Sequence, residues 1–277
     1  MNVLKLAAFS RNGQGGNPAG VAFSDVMPSE EEMLKVAKKV GYSETAFLVK
    51  QDDGWRVRYF APEMEVPFCG HATIALGAAL GERYGETEYK LTLNDTVIAV
   101  HAEKSENGFS ATLQSPSTHS ENAPKEYVDK ILVAFGLKSD DLNPNFPVCF
   151  ANAGAKHLIL VLKERKMLAE MKYPFEEVKS LMAEQGLVTI SLLWNESEEV
   201  FHSRNAFASG GVYEDPATGA AAAALAGYLR DIGWQGKSEF TILQGEDMGI
   251  PSRLLVKYGP TPGESVLVSG ETRYINE

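Results

Sequence analysis

The pattern of apolar and polar positions predicts many short strands interrupted by a few helices. Apolar residues alternate loosely over 3–9, which is typical of a strand that begins the fold. After Ser29 the apolar positions follow a helical period instead, and Gly41 ends it. Ser29 is expected to be the N-cap, because three glutamates follow it where negative charge suits the helix dipole.

The same reasoning divides the rest of the chain into further elements. Strands are predicted over 21–23, 45–50, 55–60, 89–93, 97–102, 109–114, 157–162, 188–193, 239–243, 253–258 and 265–270. Helices are predicted from about 70, over 126–135, over 175–185 and over 218–229. A polar segment with two prolines, SPSTHSENAP at 115–124, has no apolar periodicity and is expected to be a linker.

Two helices made almost entirely of small apolar residues suggest that the halves of the chain repeat one design. PFCGHATIALGAAL at 67–80 and EDPATGAAAAALAGYL at 214–229 each enter a helix through a glycine. A helix that is apolar on every face is expected to be buried on all sides. We therefore expect two similar lobes, 1–116 and 117–277, each with a curved sheet around a central helix, the first completed by the C-terminal end of the chain.

Composition excludes several classes of partner. The 277-residue chain carries a net charge of −11, which argues against nucleic acid or an anionic membrane surface as partner. A small anion can still bind to backbone N–H groups. The two cysteines, Cys69 and Cys149, show no metal-ligand spacing and are expected to be reduced thiols in the cytoplasm. The first twenty residues are interpreted as a strand and a glycine-rich turn rather than a signal peptide.

The two helix starts are the first candidates for chemistry. Gly70-His71 and Asp215-Gly219 place a glycine where free N–H groups favour an anion or developing negative charge. The alternative is an ordinary helix start, with Asp215 acting only as a cap beside Pro216. Because the same feature occurs once in each half, we expect a shared site where the lobes meet.

Other polar residues give weaker signals. Glu44 lies in GYSETAFL, where a partly buried carboxylate could transfer protons, but the pattern alone favours a solvent-facing loop glutamate. Cys69 could be a nucleophile or base near a helix N-terminus, or simply a small buried residue, which we favour. Four histidines without partner spacing are interpreted as surface or structural: His101, His119, His157 and His202.

Five motifs, in the right order, resemble the phenazine-biosynthesis (PhzF-like) family within the diaminopimelate-epimerase-like fold. They are GNPAGV at 16–21, SETAFL at 43–48, RYFAPEMEVPFCGHATIALG at 58–77, EDPATGAA at 214–221 and LQG at 243–245. The resemblance implies an α+β fold of two lobes with the site in the cleft, and commonly a homodimer. It implies that Glu44 is the general acid/base and that His71 and Asp215 hold the substrate and assist proton movement.

The resemblance also sets the expected ligand and its limits. Substrate-binding residues would be Asn17, Gly70, Thr218, Gly219 and Ala220, acting on a small anionic substrate without metal or other cofactor. Many relatives carry serine at the position of Ala220, so one hydroxyl donor is lost here, and the run 204–209 lacks the family's proline. The expected function is double-bond isomerisation by one base. An epimerase or racemase using Cys69 and a non-catalytic binding protein remain the alternatives.

Overall fold

The computed structural model describes residues 1–275 and contains helices and short strands in the predicted mixture. The helices are α1 (Glu30–Val40), α2 (Gly70–Tyr84), α3 (Lys125–Ala134), α4 (Arg165–Ala169), α5 (Phe175–Gln185) and α6 (Gly219–Asp231). The strands are β1 (Leu4–Ser10), β2 (Asn17–Ser24), β3 (Glu44–Gln51), β4 (Gly54–Phe60), β5 (Glu65–Val66), β6 (Thr87–Thr92), β7 (Val97–Ser105), β8 (Gly108–Gln114), β9 (His119–Asn122), β10 (Cys149–Asn152), β11 (Lys156–Leu162), β12 (Thr189–Asn195), β13 (Val200–Ala206), β14 (Glu214–Asp215), β15 (Glu239–Gln244), β16 (Ser252–Tyr258) and β17 (Val266–Tyr274). Among the described residues, no helix is long and apolar enough to cross a membrane.

The first helix begins and ends as its sequence predicts. Ser29 is the N-cap of α1, and its side chain accepts a hydrogen bond from the Glu32 N–H while Glu32 accepts one from the Ser29 N–H. This capping box satisfies two N–H groups that a helix start otherwise leaves unpaired. Gly41 ends the helix in the left-handed conformation that glycine adopts without steric cost.

The chain divides into two compact units that are not quite the predicted halves. The first contains Met1–Gln114 and the C-terminal segment that begins at Ser269, and the second is Ser115–Val268. The predicted boundary after residue 116 differs by two residues, since β8 already ends at Gln114.

The strands of the first unit close into a barrel around α2. Neighbours follow the order β1–β2–β3–β4–β6–β7–β8, and β17 pairs with both β8 and β1. The pairs β2–β3 and β4–β6 are parallel, whereas β1–β2, β3–β4, β6–β7, β7–β8 and β1–β17 are antiparallel. Every residue of α2 from His71 to Gly81 is buried, as expected for a helix surrounded by sheet.

The second unit repeats this order of pairing. Strand β10 pairs antiparallel with β11, β11 parallel with β12, β12 antiparallel with β13, and β13 parallel with β15. Helix α6 follows β14 as α2 follows β5, and its residues 221–229 are buried. The internal repeat predicted from two short helices therefore extends to the strands of both units.

Outer helices cover the second face of each sheet. In the first unit, Met33 and Ala37 of α1 pack with Ala22, Phe47 and Phe60. In the second unit, α3, α4 and α5 pack on β11 and β12 through a larger apolar cluster. Burying both faces removes apolar side chains from water, which stabilises the fold by about 25 cal/mol for each Å² of apolar surface buried.

Two sequence expectations about loops are wrong. The predicted linker at 115–124 contains β9, which pairs antiparallel with β10, because backbone pairing requires no apolar side chains. Residues 194–213, for which the sequence pattern predicts a loop and no strand, contain β13, whose Ser203, Arg204 and Asn205 are buried. Because these buried side chains are polar, the sequence of β13 lacks the apolar pattern by which a buried strand is predicted.

Candidate active site

Glu44 lies at the start of β3, where the chain leaves the end of α1. Its side chain is only 16% exposed, so the alternative of a solvent-facing loop glutamate is wrong. The buried Oε2 oxygen has no hydrogen-bond partner, although it lies 3.3 Å from His71 Nε2. That contact has the distance of an ion pair but not the alignment of a hydrogen bond. A buried carboxylate oxygen that lacks a donor is costly to a fold and often marks a functional site.

His71 is the second residue of α2 and joins three polar side chains. Ser43 Oγ lies 3.3 Å from its Nε2, and Cys69 Sγ lies 3.4 Å from its Nδ1. A carboxylate oxygen of Glu44, the sulfur of Cys69 and a ring nitrogen of His71 all lie within 4.8 Å of one another. The structure thus brings Glu44 and His71 together. It also places Cys69 beside them, although the prediction of a buried side chain at Cys69 is confirmed.

The start of α2 differs from the start of α1 in lacking a capping side chain. Cys69 is the N-cap, but its side chain makes no capping hydrogen bond to a helix N–H group, and the first turn contains no acidic residue. The backbone at Cys69 is held in place by Thr73, whose Oγ1 donates a hydrogen bond to the Cys69 carbonyl and shares another with the Tyr59 hydroxyl. Uncapped N–H groups at a helix start favour an anionic ligand.

The start of α6 is built around Thr218 and Gln244. Thr218, not Asp215, is the N-cap, so the alternative that Asp215 only caps the helix is wrong. Thr218 Oγ1 donates to Asp215 Oδ2 at 2.5 Å. The buried Gln244 amide donates to the Asp215 carbonyl at 2.7 Å and accepts from the Thr218 N–H at 3.1 Å. This arrangement holds Asp215 and the backbone before Gly219 in one conformation.

A buried or half-buried arginine–glutamate pair precedes each helix start. Arg58 donates two hydrogen bonds to Glu65, with Nε–Oε1 at 2.7 Å and Nη2–Oε2 at 2.5 Å. Arg204 binds Glu214 in the same two-bond manner at 2.9 and 2.5 Å. The hydrogen bonds from Arg58 hold the pKa of Glu65 below its usual value. Burial opposes the charge of Arg204, but its bonds to Glu214 raise its pKa. Such forked pairs fix geometry.

The duplicated pairs align the two helix starts residue by residue. EVPFCGH at 65–71 corresponds to EDPATGA at 214–220, because both follow the arginine strand and enter the central helix. Gly70 then matches Gly219, Cys69 matches Thr218, and His71 matches Ala220. Glu44 begins β3, whereas the corresponding β12 begins with Thr189. The glutamate–histidine contact therefore occurs in the first unit and has no counterpart at the matching positions of the second.

The remaining predicted binding residues are placed by backbone register. Asn17 begins β2 and is buried, two positions before Ala19, the register partner of Glu44. Because side chains alternate along a strand, Asn17 lies on the same sheet face as Ala19. Gly219 is the first residue of α6, and Ala220 beside it is half-buried. The prediction that both helix starts serve one site stays a prediction.

Sequence reasoning missed the polar contacts of two histidines. His202 lies between two carboxylates, with Nε2 2.5 Å from Glu196 and Nδ1 2.8 Å from Glu246. His157 is fully buried against Thr189. Their partners are distant in sequence or on other strands, so spacing gave no signal.

Comparison with known proteins places the whole chain in one family. The family model for phenazine biosynthesis-like proteins, PhzC-PhzF, matches residues 6–277. The chain belongs to the PhzC-PhzF family. A relative, the uncharacterized isomerase YfhB of Bacillus subtilis, is 29% identical over 94% of this chain and 92% of its own.

Solved structures of the PhzF family and of more distant proteins confirm the fold. A PhzF-family phenazine biosynthesis protein of Bacillus anthracis superposes with a TM-score of 0.86 and 25% identity, covering 99% of this chain and 96% of the other. A hydroxyproline epimerase from Agrobacterium vitis has a TM-score of 0.65 at 12% identity over 99% and 90%, which shows the fold alone. The predicted epimerase-like α+β fold and the predicted isomerase-type enzyme of the PhzF family are confirmed at this level.

Proposed function

We propose that the protein catalyses cofactor-independent proton transfer within a small, carboxylate-bearing substrate, with Glu44 as general acid and base. Glu44 removes a proton next to an unsaturated or carbonyl carbon and returns it to another carbon of the same molecule. His71 orients the substrate and assists proton movement. A positioned acid/base group of this kind contributes about 10²–10⁴-fold to a rate.

The observation that carries the proposal is the placement of the Glu44 carboxylate. Its Oε2 oxygen is buried without a hydrogen-bond donor and lies beside the His71 ring at 3.3 Å. Because this oxygen accepts no hydrogen bond from the protein, it is available to take a proton from a substrate C–H group. The uncapped start of α2 lies next to it, since His71 belongs to its first turn, and would stabilise charge that moves onto the substrate.

The position of Cys69 favours one base over two. Bases that act on opposite faces of a carbon must each approach to about 3 Å, so they stand roughly 6 Å apart. The acceptor atoms of Glu44 and Cys69 lie within 4.8 Å of each other. This separation supports proton transfer on one face by Glu44 over inversion by a Glu44–Cys69 pair.

The decisive experiment follows deuterium from solvent into substrate. Purified protein is incubated in D₂O with a panel of small unsaturated and cyclic carboxylates, and mass spectrometry identifies those that gain deuterium. With a compound that exchanges, we expect Glu44→Gln to lower the rate by about 10²–10⁴-fold, because the amide cannot accept the proton. Glu106→Gln, the same chemical change at an exposed turn residue, should exchange like wild type.

Three results would contradict the proposal. Exchange that survives in Glu44→Gln would remove Glu44 from the role of base. Exchange that instead disappears in Cys69→Ala, or after selective alkylation of Cys69, would favour the epimerase alternative. A ligand that binds without any exchange would favour the non-catalytic alternative. The catalytic role of Asp215 remains a prediction, as do the substrate-binding roles of Asn17, Gly70, Thr218, Gly219 and Ala220, homodimer formation and a cytoplasmic location.

A further inference from the structure

Three side chains from two separate segments of the chain, the start of β3 and the start of α2, form a cluster of metal-ligand type. Glu44, Cys69 and His71 offer a carboxylate oxygen, a sulfur and a ring nitrogen, all within 4.8 Å of one another. Cys69 and His71 are buried, and Glu44 is mostly buried. Linear spacing gave no metal motif because β3 and the start of α2 supply the ligands from separate elements.

The distances within the cluster are close to those between ligands of one ion. Bond lengths of about 2.0–2.3 Å place neighbouring ligand atoms of tetrahedral zinc roughly 3.3–3.8 Å apart. His71 Nε2 lies 3.3 Å from Glu44 Oε2 and 3.9 Å from Cys69 Sγ. Small rotations of the Cys69 and Glu44 side chains would therefore bring three donors to one centre.

The chemistry of the three donors selects a borderline-soft divalent ion. Thiolate and imidazole suit zinc, and a carboxylate completes the ligand types found in zinc sites. The Glu44 Oε2 oxygen is buried without a hydrogen-bond donor, so it can accept a metal bond without breaking a protein hydrogen bond. Three protein ligands leave one tetrahedral position for water or a substrate oxygen.

We propose that Glu44, Cys69 and His71 bind one Zn²⁺ ion reversibly and that the bound ion inhibits the enzyme. On binding, the Cys69 thiol loses its proton to the buffer and its sulfur bonds to zinc, so one proton is released for each ion bound. The metal occupies the Glu44 carboxylate that the proposed function requires as base. The inhibition rests on the proposed function, whereas the metal site itself does not.

Metal binding is measured directly on the 277-residue protein after removal of metals with a chelator. Titration with Co²⁺, a spectroscopic substitute for zinc, should give a thiolate-to-cobalt charge-transfer band that saturates at one ion per chain. Competition with Zn²⁺ should bleach that band. Cys69→Ser should abolish the band and weaken zinc binding by roughly 100-fold or more, because the thiolate supplies a large share of the binding free energy.

Matched variants separate this site from general effects. Cys149→Ala removes the second buried thiol and should leave the band unchanged. Glu44→Gln keeps the thiol but should also weaken zinc binding. Weaker binding in both variants, with circular dichroism spectra like that of wild type, would show that the site has been lost and not the fold. A missing thiolate band in wild type, a band that survives in Cys69→Ser, or one that is lost in Cys149→Ala would overturn the proposal.

The metal and isomerase proposals fail separately. Zinc binding with the expected variants supports the site even if no carboxylate exchanges deuterium. If a substrate is found and zinc occupies the site without slowing exchange, the inhibition is overturned. If Glu44→Gln exchanges normally, the assignment of Glu44 as base fails while the binding measurement stands.

Discussion

Individual residues show how burial gives a side chain properties that its place in the sequence does not reveal. Glu44 and His157 both looked unremarkable in sequence, yet both lose most of their contact with water in the fold. The His157 ring on β11 keeps one short contact, 2.7 Å from its Nδ1 to Thr189 Oγ1, and its Nε2 has no hydrogen-bond partner. Burial lowers the pKa of His157 to about 3, because the charged ring cannot be solvated there.

The lowered pKa of His157 predicts a loss of stability in mild acid. The unfolded chain binds a proton at His157 below about pH 6.5, whereas the folded chain does not until about pH 3. Stability from this group is therefore complete above pH 6.5 and falls as the pH drops towards 3. Between pH 7 and pH 5, the free energy of unfolding should fall by about 2 kcal/mol more in wild type than in His157→Gln.

Urea unfolding at several pH values measures this difference. His119→Gln, at an exposed position of β9, is the control and should show the same pH dependence as wild type. Parallel curves for wild type and His157→Gln from pH 7 to pH 5 would show that the buried ring does not exclude the proton.

At the scale of elements, the central helices depend on their small residues. Helix α2 contains Gly77, where an added Cβ would lie 2.6 Å from Val100 Cγ2 and 2.9 Å from Ala111 Cβ. The surrounding strands therefore approach the helix more closely than any larger side chain permits. This contact explains why the face of α2 that meets β7 and β8 carries glycine at position 77.

Gly77→Ala should destabilise the protein even though alanine favours helices. Alanine gains about 1 kcal/mol in helix propensity over glycine, but overpacking a tight core costs about 1–3 kcal/mol. We expect a net loss of up to about 2 kcal/mol in the free energy of unfolding. Adding Val100→Ala makes room for the new methyl group, so the double variant should be more stable than the sum of the single changes predicts. Strict additivity, or a gain in stability from Gly77→Ala, would contradict the contact.

At the scale of the whole molecule, one unit is formed by a single stretch of the chain and the other by two separate stretches. The second unit is one continuous stretch, Ser115–Val268, whereas the first needs a C-terminal segment from Ser269. That segment pairs with β1, where Tyr274 lies opposite Leu6. The C-terminal part of β17 thus lies beside the N-terminal end of β1 and closes the barrel.

This division predicts different behaviour for fragments of the chain. Fragment 115–268 should fold alone and unfold cooperatively, because its core needs no other part of the chain. Fragment 1–114 lacks β17 and should stay unfolded or aggregate through its open edges. Joining 269–277 to Met1 through a short Gly/Ser linker should restore folding, since antiparallel pairing brings these ends together. Circular dichroism and thermal unfolding measure all three, and a well-folded 1–114 would contradict the assignment of β17.

The sequence by itself determined the features that depend on local spacing. It determined the capped helix α1, the two small-residue helices, the internal repeat they imply, and, through SETAFL, CGHAT and EDPATG, the family and its fold. Only the tertiary structure brought Cys69 into the Glu44–His71 cluster and paired Arg58 with Glu65 and Arg204 with Glu214. The physical reason is that these contacts join separate elements, and strand register, which the sequence pattern does not contain, decides which side chains meet.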